Sequence, residues 1–125
     1  MAQVNRVHTF VKGKYTFVCW GFNSSRSWGH ECRLLINGYE SAKERYTYLN
    51  RTWESYMFQS VMQGAFENYK VQELERYYEE YKLINGIKRF KTGEKKKLTE
   101  EFYEKHREEF NEIDKALKEG TLGYK

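Results

Sequence analysis

Residues 34–40 read Leu-Leu-Ile-Asn-Gly-Tyr-Glu, and this stretch decides the fold. A type I′ hairpin turn needs positive φ at both central positions, and Asn-Gly is a pair that adopts it readily. The turn at Asn37-Gly38 therefore predicts two antiparallel strands, from Glu31 to Ile36 and from Tyr39 to about Tyr48. Residues 41–45 have helical propensity, but their position directly after the turn favours a strand.

A second hairpin precedes this one. Residues 4–11 and 15–22 are rich in β-branched and aromatic side chains, and Lys12-Gly13-Lys14 separates them as a glycine-centred turn. A polar loop, residues 23–30, joins the two hairpins. Residues 1–51 are thus predicted to form an N-terminal antiparallel β-meander of three to four strands.

The rest of the chain is predicted to be helical. Thr52 is the expected N-cap of a helical region over residues 52–86, which Asn85-Gly86 should stop. The apolar side chains that recur at helical spacing there are Trp53, Met57, Phe58, Val61, Met62, Ala65 and Phe66, continued by Val71, Leu74 and the tyrosines 77–81. One long helix fits this pattern, and so do two helices with a bend near Gly64 or Lys70.

Residues 87–98 form a basic connector, and residues 99–119 are predicted to be a C-terminal helix with Thr99 as its N-cap. Because strands come first and helices follow, the expected fold class is α+β, in one domain spanning residues 1–125. No stretch approaches the roughly 18 apolar residues of a membrane span, and Met1 precedes a polar segment. The expected location is therefore cytoplasmic, without a membrane partner.

Charge is unevenly distributed along the chain. The first 51 residues carry eight Lys or Arg against three Asp or Glu, whereas residues 99–125 carry five against eight. Such an asymmetry either steers a charged partner or helps the chain pack against itself.

Catalytic chemistry finds little support in the sequence. Cys19, His30 and Cys32 lie within fourteen residues, and His8 is a possible fourth zinc ligand, but paired Cys-x₂₋₄-Cys spacing is absent. Both cysteines alternate with apolar residues, which favours buried free thiols. The chain has no nucleophile elbow, P-loop or dinucleotide-binding glycine motif. We expect no catalytic residues, no metal and no cofactor.

Three groups of residues are candidates for contact with a partner. Trp28 stands in the polar loop beside Arg26 and His30, as a large ring among adaptable hydrogen-bonding groups. The other two groups are the cations Lys88, Arg89, Lys91, Lys95, Lys96 and Lys97 of the basic connector, and the carboxylates Glu101, Glu104 and Glu108 of the last helix. A homodimer through the tyrosines of residues 77–81 is a further expectation.

Nucleic acid is an alternative partner. The basic connector surrounds Phe90, and in the sheet region Arg6, Lys12, Lys14, Arg26 and Arg33 accompany Tyr15, Trp20, Phe22 and Trp28. Single-strand binders combine cations for phosphates with rings for base stacking. The acidic last helix would oppose such binding if it shared the same surface.

The chain also resembles small accessory proteins of bacteriophages and prophages of Gram-positive bacteria. The resemblance covers roughly residues 7–66, and its most distinctive pieces are Ser27-Trp28-Gly29-His30 and Asn50-Arg51-Thr52-Trp53-Glu54. It brings no catalytic residues. What it implies is a non-enzymatic protein that acts inside a bacterial host, where such proteins often inhibit defence systems, anti-CRISPR inhibitors of a Cas9-type nuclease among them.

Overall fold

A computed structural model describes the backbone of residues 3–23, 28–48 and 55–120, and the side chains of residues 8–22, 29–47 and 58–119. Four antiparallel strands lie side by side in chain order: β1 (Gln3–Lys12), β2 (Tyr15–Asn23), β3 (Trp28–Ile36) and β4 (Tyr39–Tyr48). Three helices follow: α1 (Ser55–Asn85), α2 (Glu94–Lys105) and α3 (Arg107–Gly120). The predicted α+β fold with an N-terminal meander is confirmed.

The turn that decided the prediction has the expected backbone. Asn37 and Gly38 both have positive φ, at 52° and 87°, as a type I′ turn requires. Gly13, with φ of 57°, makes the first hairpin turn. β3 begins at Trp28, three residues before the predicted start, because Trp28 and Gly29 already pair with Asn23 and Phe22 of β2.

Helix α1 is one unbroken helix of 31 residues. It ends as predicted at Asn85-Gly86, in a Schellman motif: the N–H of Gly86 donates to the carbonyl of Leu83, and that of Ile87 donates to the carbonyl of Lys82 at 3.0 Å. The predicted N-cap, Thr52, lies outside the described residues.

Gly64 allows α1 to approach the sheet closely. A Cβ atom built there would lie 2.6 Å from the hydroxyl oxygen of Tyr46 and 2.8 Å from Cγ of Glu44, both on β4. The glycine is therefore explained by close packing against β4, and it does not bend the helix.

The core lies between one face of the sheet and the helices. Strand residues Phe17, Cys19, Cys32 and Leu34 are fully buried there, as is the predicted row of α1, Phe58, Val61, Met62, Ala65 and Phe66. The side chains of Trp53 and Met57 are not among those described. Val71 was predicted for the same row, but it is 48% exposed because this turn of α1 presents Leu74 and Tyr77 to the core.

Two predicted boundaries are wrong. The basic connector does not extend as a loop to residue 98, since α2 begins at Glu94, directly after Gly93 with φ of 83°. Thr99 is consequently not an N-cap: it lies inside α2, where its hydroxyl donates to the carbonyl of Lys95 at 2.8 Å.

The predicted C-terminal helix over residues 99–119 is likewise two helices, separated by His106 with φ of −104° and ψ of 7°. The ring of His106 stacks on Phe110 and also contacts Phe102. The break occurs where α2, which packs on the second half of α1, gives way to α3, whose Phe110 and Leu117 belong to the core.

Candidate interaction surfaces

The polar loop between β2 and β3 leads into buried structure. Arg26 and the side chain of Trp28 lie outside the described residues. His30 is only 1% exposed, and its ring meets that of Phe58 edge-on at 4.8 Å between centroids. This burial argues against the prediction of His30 as a partner contact, because its side chain lies in the core under α1.

Gly29 next to it is needed for packing. A Cβ atom there would lie 2.4 Å from Cζ of Phe22 and 2.5 Å from the backbone oxygen of Tyr46. The backbone oxygen of Tyr46 cannot move without disturbing the pairing of β3 with β4. Part of the distinctive segment Trp28-Gly29-His30 is thus explained by packing alone.

Cys19 and Cys32 stand opposite each other on β2 and β3, and both are free and fully buried. Burial raises the pKa of the Cys19 thiol far above its ordinary range, and hydrogen bonding with Cys32 acts in the same direction. A protonated, inaccessible thiol is a poor nucleophile and a poor metal ligand. The prediction of buried thiols is confirmed, and the described part of the chain holds no group of three or more His, Cys, Asp or Glu placed to bind a metal ion.

The cations of the basic connector are all exposed, but they occupy two kinds of backbone. Lys88, Arg89 and Lys91 follow the end of α1 in the loop, whereas residues 95–97 form the first turn of α2. Among the described residues, no carboxylate lies within 4.0 Å of any of these six side-chain cations. Their charge is therefore available to an anionic partner.

The loop between α1 and α2 is held rigidly from within. The carboxylate of Glu94 accepts hydrogen bonds from the backbone N–H of Lys91 at 2.8 Å and from the hydroxyl of Tyr81 at 3.1 Å. Phe90, which the nucleic-acid hypothesis left for base stacking, is instead half-buried against Tyr78 and Tyr81, with ring centroids 5.7 and 6.0 Å away. Its ring is used inside the molecule.

The tyrosines expected to form a dimer surface are also used internally. Tyr78 hydrogen-bonds with Thr99, and the ring of Tyr77 lies 5.6 Å from that of Phe102. Both are half-buried between α1 and α2. The expectation of a homodimer through this row is therefore not supported by its exposure.

A cleft of about 560 Å³ runs along the second half of α1 beside the loop. Leu74, Tyr78 and Phe90 supply apolar surface, while Lys82 and Lys95 stand over aromatic rings at 5.0 and 5.1 Å from the centroids of Phe90 and Tyr78. The cleft has room for a side chain of a partner, with a cation at its rim.

The predicted acidic contacts are all exposed, but they lie on two helices. Glu101 and Glu104 lie on α2, and Glu108 follows the break at His106 on α3. Glu104 pairs with Arg107 at 3.5 Å, in an exposed contact that contributes little. The structure therefore brings two of the three carboxylates onto the helix that carries Lys95, Lys96 and Lys97, a proximity that the predicted boundary at residue 98 concealed.

Two other carboxylates of α3, Glu109 and Glu112, bind the first hairpin. Glu109 accepts hydrogen bonds from the hydroxyl of Tyr15 at 2.9 Å and from Nζ of Lys14 at 3.1 Å. Burial raises the pKa of Glu109, but the hydrogen bonds from Tyr15 and Lys14 together outweigh it, and the net pKa is lowered. Glu112 pairs with Lys12 at 3.4 Å. The two lysines of the hairpin are thus partly neutralised.

The predicted contact groups occupy opposite ends of α1. His30 packs on Phe58 near the start of the helix, whereas the connector follows Asn85 at its end. At about 1.5 Å per residue the helix separates these points by roughly 40 Å. His30 and the connector consequently cannot belong to one compact contact patch.

The aromatic and basic residues of the sheet divide between its two faces. Tyr15 faces α1 and is buried, whereas Trp20 and Phe22 alternate onto the opposite face. There the guanidinium of Arg33 stands 5.3 Å from the ring of Trp20, and that of Arg45 stands 4.2 Å from the ring of Phe22. Successive side chains of a strand point to opposite faces of the sheet, so the sequence of β2 could have assigned Tyr15 to one face and Trp20 and Phe22 to the other.

Lys70 escaped the sequence reasoning except as a candidate bend. It is 8% exposed, and its Nζ lies 2.6 Å from Glu67 and 3.5 Å from Asp114 of α3. The ammonium also faces the rings of Phe66 and Phe110. No pattern in the sequence distinguishes this buried lysine from the solvated ones.

Comparison with known proteins adds no relative: no protein-family model matches the chain, and neither does any curated protein or solved structure. Within the described residues, no helix combines the length and the apolar character needed to cross a membrane.

Proposed function

We propose that this protein acts by binding, without catalysis, as a phage-encoded inhibitor of a host defence protein, with a Cas9-type nuclease as its target. The observation that supports this most is the concentration of exposed charge around the junction of α1 and α2. Six cations of the basic connector stand there without ion pairs to described residues, and three of them, Lys95, Lys96 and Lys97, lie on the same helix as Glu101 and Glu104. Internal hydrogen bonds of Glu94 hold this surface in place before binding.

A nuclease that holds nucleic acid in a basic channel offers a partner for Glu101 and Glu104. Carboxylates placed over such a channel compete with phosphates, and complementary charge increases both the association rate and the specificity. The resemblance of residues 7–66 to phage accessory proteins supplies the biological setting. Because the net charge of the chain is +4, the acidic contact must be local.

Inhibition of target cleavage tests the proposal directly. Purified, guide-loaded Cas9-type nuclease should cut a DNA target more slowly when stoichiometric protein is added before the DNA. Replacing Glu101 and Glu104 by Lys should weaken the inhibition by tenfold or more, since like charges would then meet in the channel.

The double variant Glu80→Lys, Glu119→Lys is the matched control, because both carboxylates are exposed, lie outside the cleft beside the loop and form no ion pair with described residues. This control should inhibit like the unmodified chain. The proposal fails if no cleavage is inhibited and if expression of the protein gives phage no protection in a plaque assay on a host with an active defence system.

Nucleic-acid binding is the second candidate, as in an accessory protein of phage replication or regulation. It is favoured by the six unpaired cations alone, since Phe90 is committed to the contact with Tyr78 and Tyr81. Binding of a fluorescent single-stranded oligonucleotide should then fall steeply with salt, because each phosphate contact releases counterions.

Substituting Lys95, Lys96 and Lys97 by Ala should reduce both the affinity and the salt slope. Lys115→Ala, Lys118→Ala on α3 is the control, since these side chains are also exposed. Absence of binding at low salt would exclude this candidate. If the variant Glu101→Lys, Glu104→Lys binds the oligonucleotide more tightly than the unmodified chain, the result would favour nucleic-acid binding over inhibition of a nuclease.

A further inference from the structure

Helix α2 separates its exposed charges by sign along its length. Lys95, Lys96 and Lys97 occupy its first turn, and Glu100, Glu101 and Glu104 lie toward its C-terminal half. A helix dipole prefers the opposite order, with anions near the N-terminus and cations near the C-terminus. The end residues Glu94 and Lys105 follow that preference, but the exposed residues between them oppose it.

The chain itself does little to neutralise these charges. Side chains four apart on a helix are neighbours, so Lys96 could pair with Glu100 and Lys97 with Glu101. Neither pair comes within 4.0 Å, and no other described residue supplies these four side chains with an ion pair. Of the carboxylates in question, Glu104 has a partner, Arg107 of α3.

These residues share one side of the helix. With 3.6 residues per turn, Lys96, Lys97, Glu100, Glu101 and Glu104 fall within about 140° of each other. Leu98 and Phe102 lie on the other side, buried toward α1. A shallow cleft of about 650 Å³ follows the charged side, lined by Lys97, Glu100, Glu101, Glu104 and Lys105. The exposed side of α2 is thus a strip with a basic half and an acidic half.

We infer that this strip binds the same strip of a second copy, with the two α2 helices antiparallel. A twofold axis near residues 99–100 places Lys97 opposite Glu101 of the second copy and Lys96 opposite its Glu104, and symmetry repeats both pairs. The helix dipoles also oppose each other favourably in this arrangement. Tyr103, 39% exposed beside the strip, adds apolar area to the contact.

Charge complementarity selects a second copy over a partner of one sign. A phosphate backbone that approaches the lysines meets Glu100, Glu101 and Glu104 on the same strip, whereas an antiparallel copy satisfies both halves. A helix of 12 residues is about 18 Å long, so the contact is smaller than a standard interface and the dimer is weak. This inference does not rest on the proposed function, but both use Glu101 and Glu104, so a second copy and a nuclease would exclude each other from this strip.

Sedimentation equilibrium over a range of protein concentrations tests it. The unmodified chain should show a reversible monomer–dimer equilibrium at low salt, and the dimer should disappear at high salt because exposed ion pairs are screened. A chain that remains monomeric at every concentration at low salt would overturn the inference.

Charge exchange provides the specific test. Lys96→Glu, Lys97→Glu makes the strip wholly acidic, and Glu101→Lys, Glu104→Lys leaves Glu100 as its one carboxylate. The facing pairs within either variant then repel, so each variant alone should remain monomeric. An equimolar mixture of the two should restore a dimer of about the original affinity, because the four facing pairs that repel within each variant are again attractive between them. Circular dichroism confirms that each variant is folded.

Lys115→Glu, Lys118→Glu is the matched control: it changes the net charge as much as the first variant, but on exposed positions of α3. It should dimerise like the unmodified chain. The inference is overturned if this control loses the dimer equally, or if the mixture of acidic and basic variants fails to associate.

Discussion

Among the glycines whose surroundings the structure describes, Gly29 is the one at which an added methyl group meets the least room. Its missing Cβ leaves space for the ring of Phe22 and the backbone of Tyr46. Gly29→Ala should destabilise the fold by about 3 kcal/mol, because overpacking at a backbone contact forces the strands apart. Urea denaturation of the purified variant measures the change.

Gly64→Ala is the matched control, because it adds the same methyl group at another closely packed glycine. There the contacts are the ends of flexible side chains, Tyr46 and Glu44, and alanine gains about 1 kcal/mol of helix propensity over glycine. Its loss of stability should be clearly smaller than that of Gly29→Ala. Equal losses, or the reverse order, would contradict the packing assigned to Gly29.

Glu109 makes the contact between hairpin and helix sensitive to pH. Its carboxylate is bound by Tyr15 and Lys14, so its folded pKa lies below the ordinary 4.5. A lowered folded pKa contributes stability that is present above the unfolded pKa and is lost as pH falls through the folded value. The unfolding free energy should therefore decline below about pH 4.5.

Tyr15→Phe removes the hydroxyl that binds Glu109 while keeping the ring in the core. We expect a loss of about 1 kcal/mol at neutral pH, typical of one hydrogen bond to a partly exposed group. The difference between variant and unmodified chain should shrink well below pH 4.5, where the carboxylate is protonated. Urea denaturation at both pH values checks this, and a difference that is constant with pH would contradict the assignment.

At the scale of elements, Lys70 joins α1 to α3. The side chain is 8% exposed, and its ammonium faces the rings of Phe66 and Phe110 and reaches Glu67 and Asp114. Lys70→Met keeps the stem and removes the charge, so stability should change by less than about 1 kcal/mol, since a buried ion pair offsets its own desolvation poorly. Lys70→Ala also removes the stem and should cost about 2 kcal/mol. Thermal and urea unfolding of the two variants separate these contributions, and a loss in Lys70→Met as large as that in Lys70→Ala would show that the charge dominates.

The strands were predictable because their signals are local. Asn37-Gly38 fixes its own turn through positive φ, and the alternation on either side follows from it. The break at His106 has no such signal, since its φ and ψ arise where α2 and α3 meet different parts of α1. The prediction of Thr99 as an N-cap was wrong for a related reason. A threonine is a common N-cap, but α2 already begins at Glu94, directly after Gly93.

The sequence predicted which charged residues are exposed better than it predicted which aromatic rings are exposed. The lysines of the connector are exposed as expected, because nothing in a Lys-rich segment favours burial. His30 is buried against Phe58, which is distant in the sequence. Phe90 is half-buried against Tyr78, because the loop after α1 turns back along that helix. Whether a ring contacts a partner or the core depends on such tertiary neighbours, which a local pattern does not contain.

At the scale of the whole molecule, the two cysteines report on separation of the sheet from the helices. Cys19 and Cys32 are fully buried in the cluster that joins the sheet to all three helices, and burial raises the pKa of Cys19. A thiol reagent should therefore react slowly with the native protein, because the reactive thiolate forms only when the layers open. In urea both thiols should react at once.

The same experiment identifies the layer that opens. Lys70→Ala loosens the contact of α1 with α3 and should increase the native labelling rate in proportion to its loss of stability, if labelling requires global opening. Lys115→Ala, on the exposed side of α3, should leave the rate unchanged. Rapid labelling of either cysteine in the unmodified chain would mean that the sheet opens locally, near the loop between β2 and β3, without release of α1. In that case stability and thiol reactivity would vary independently among the variants.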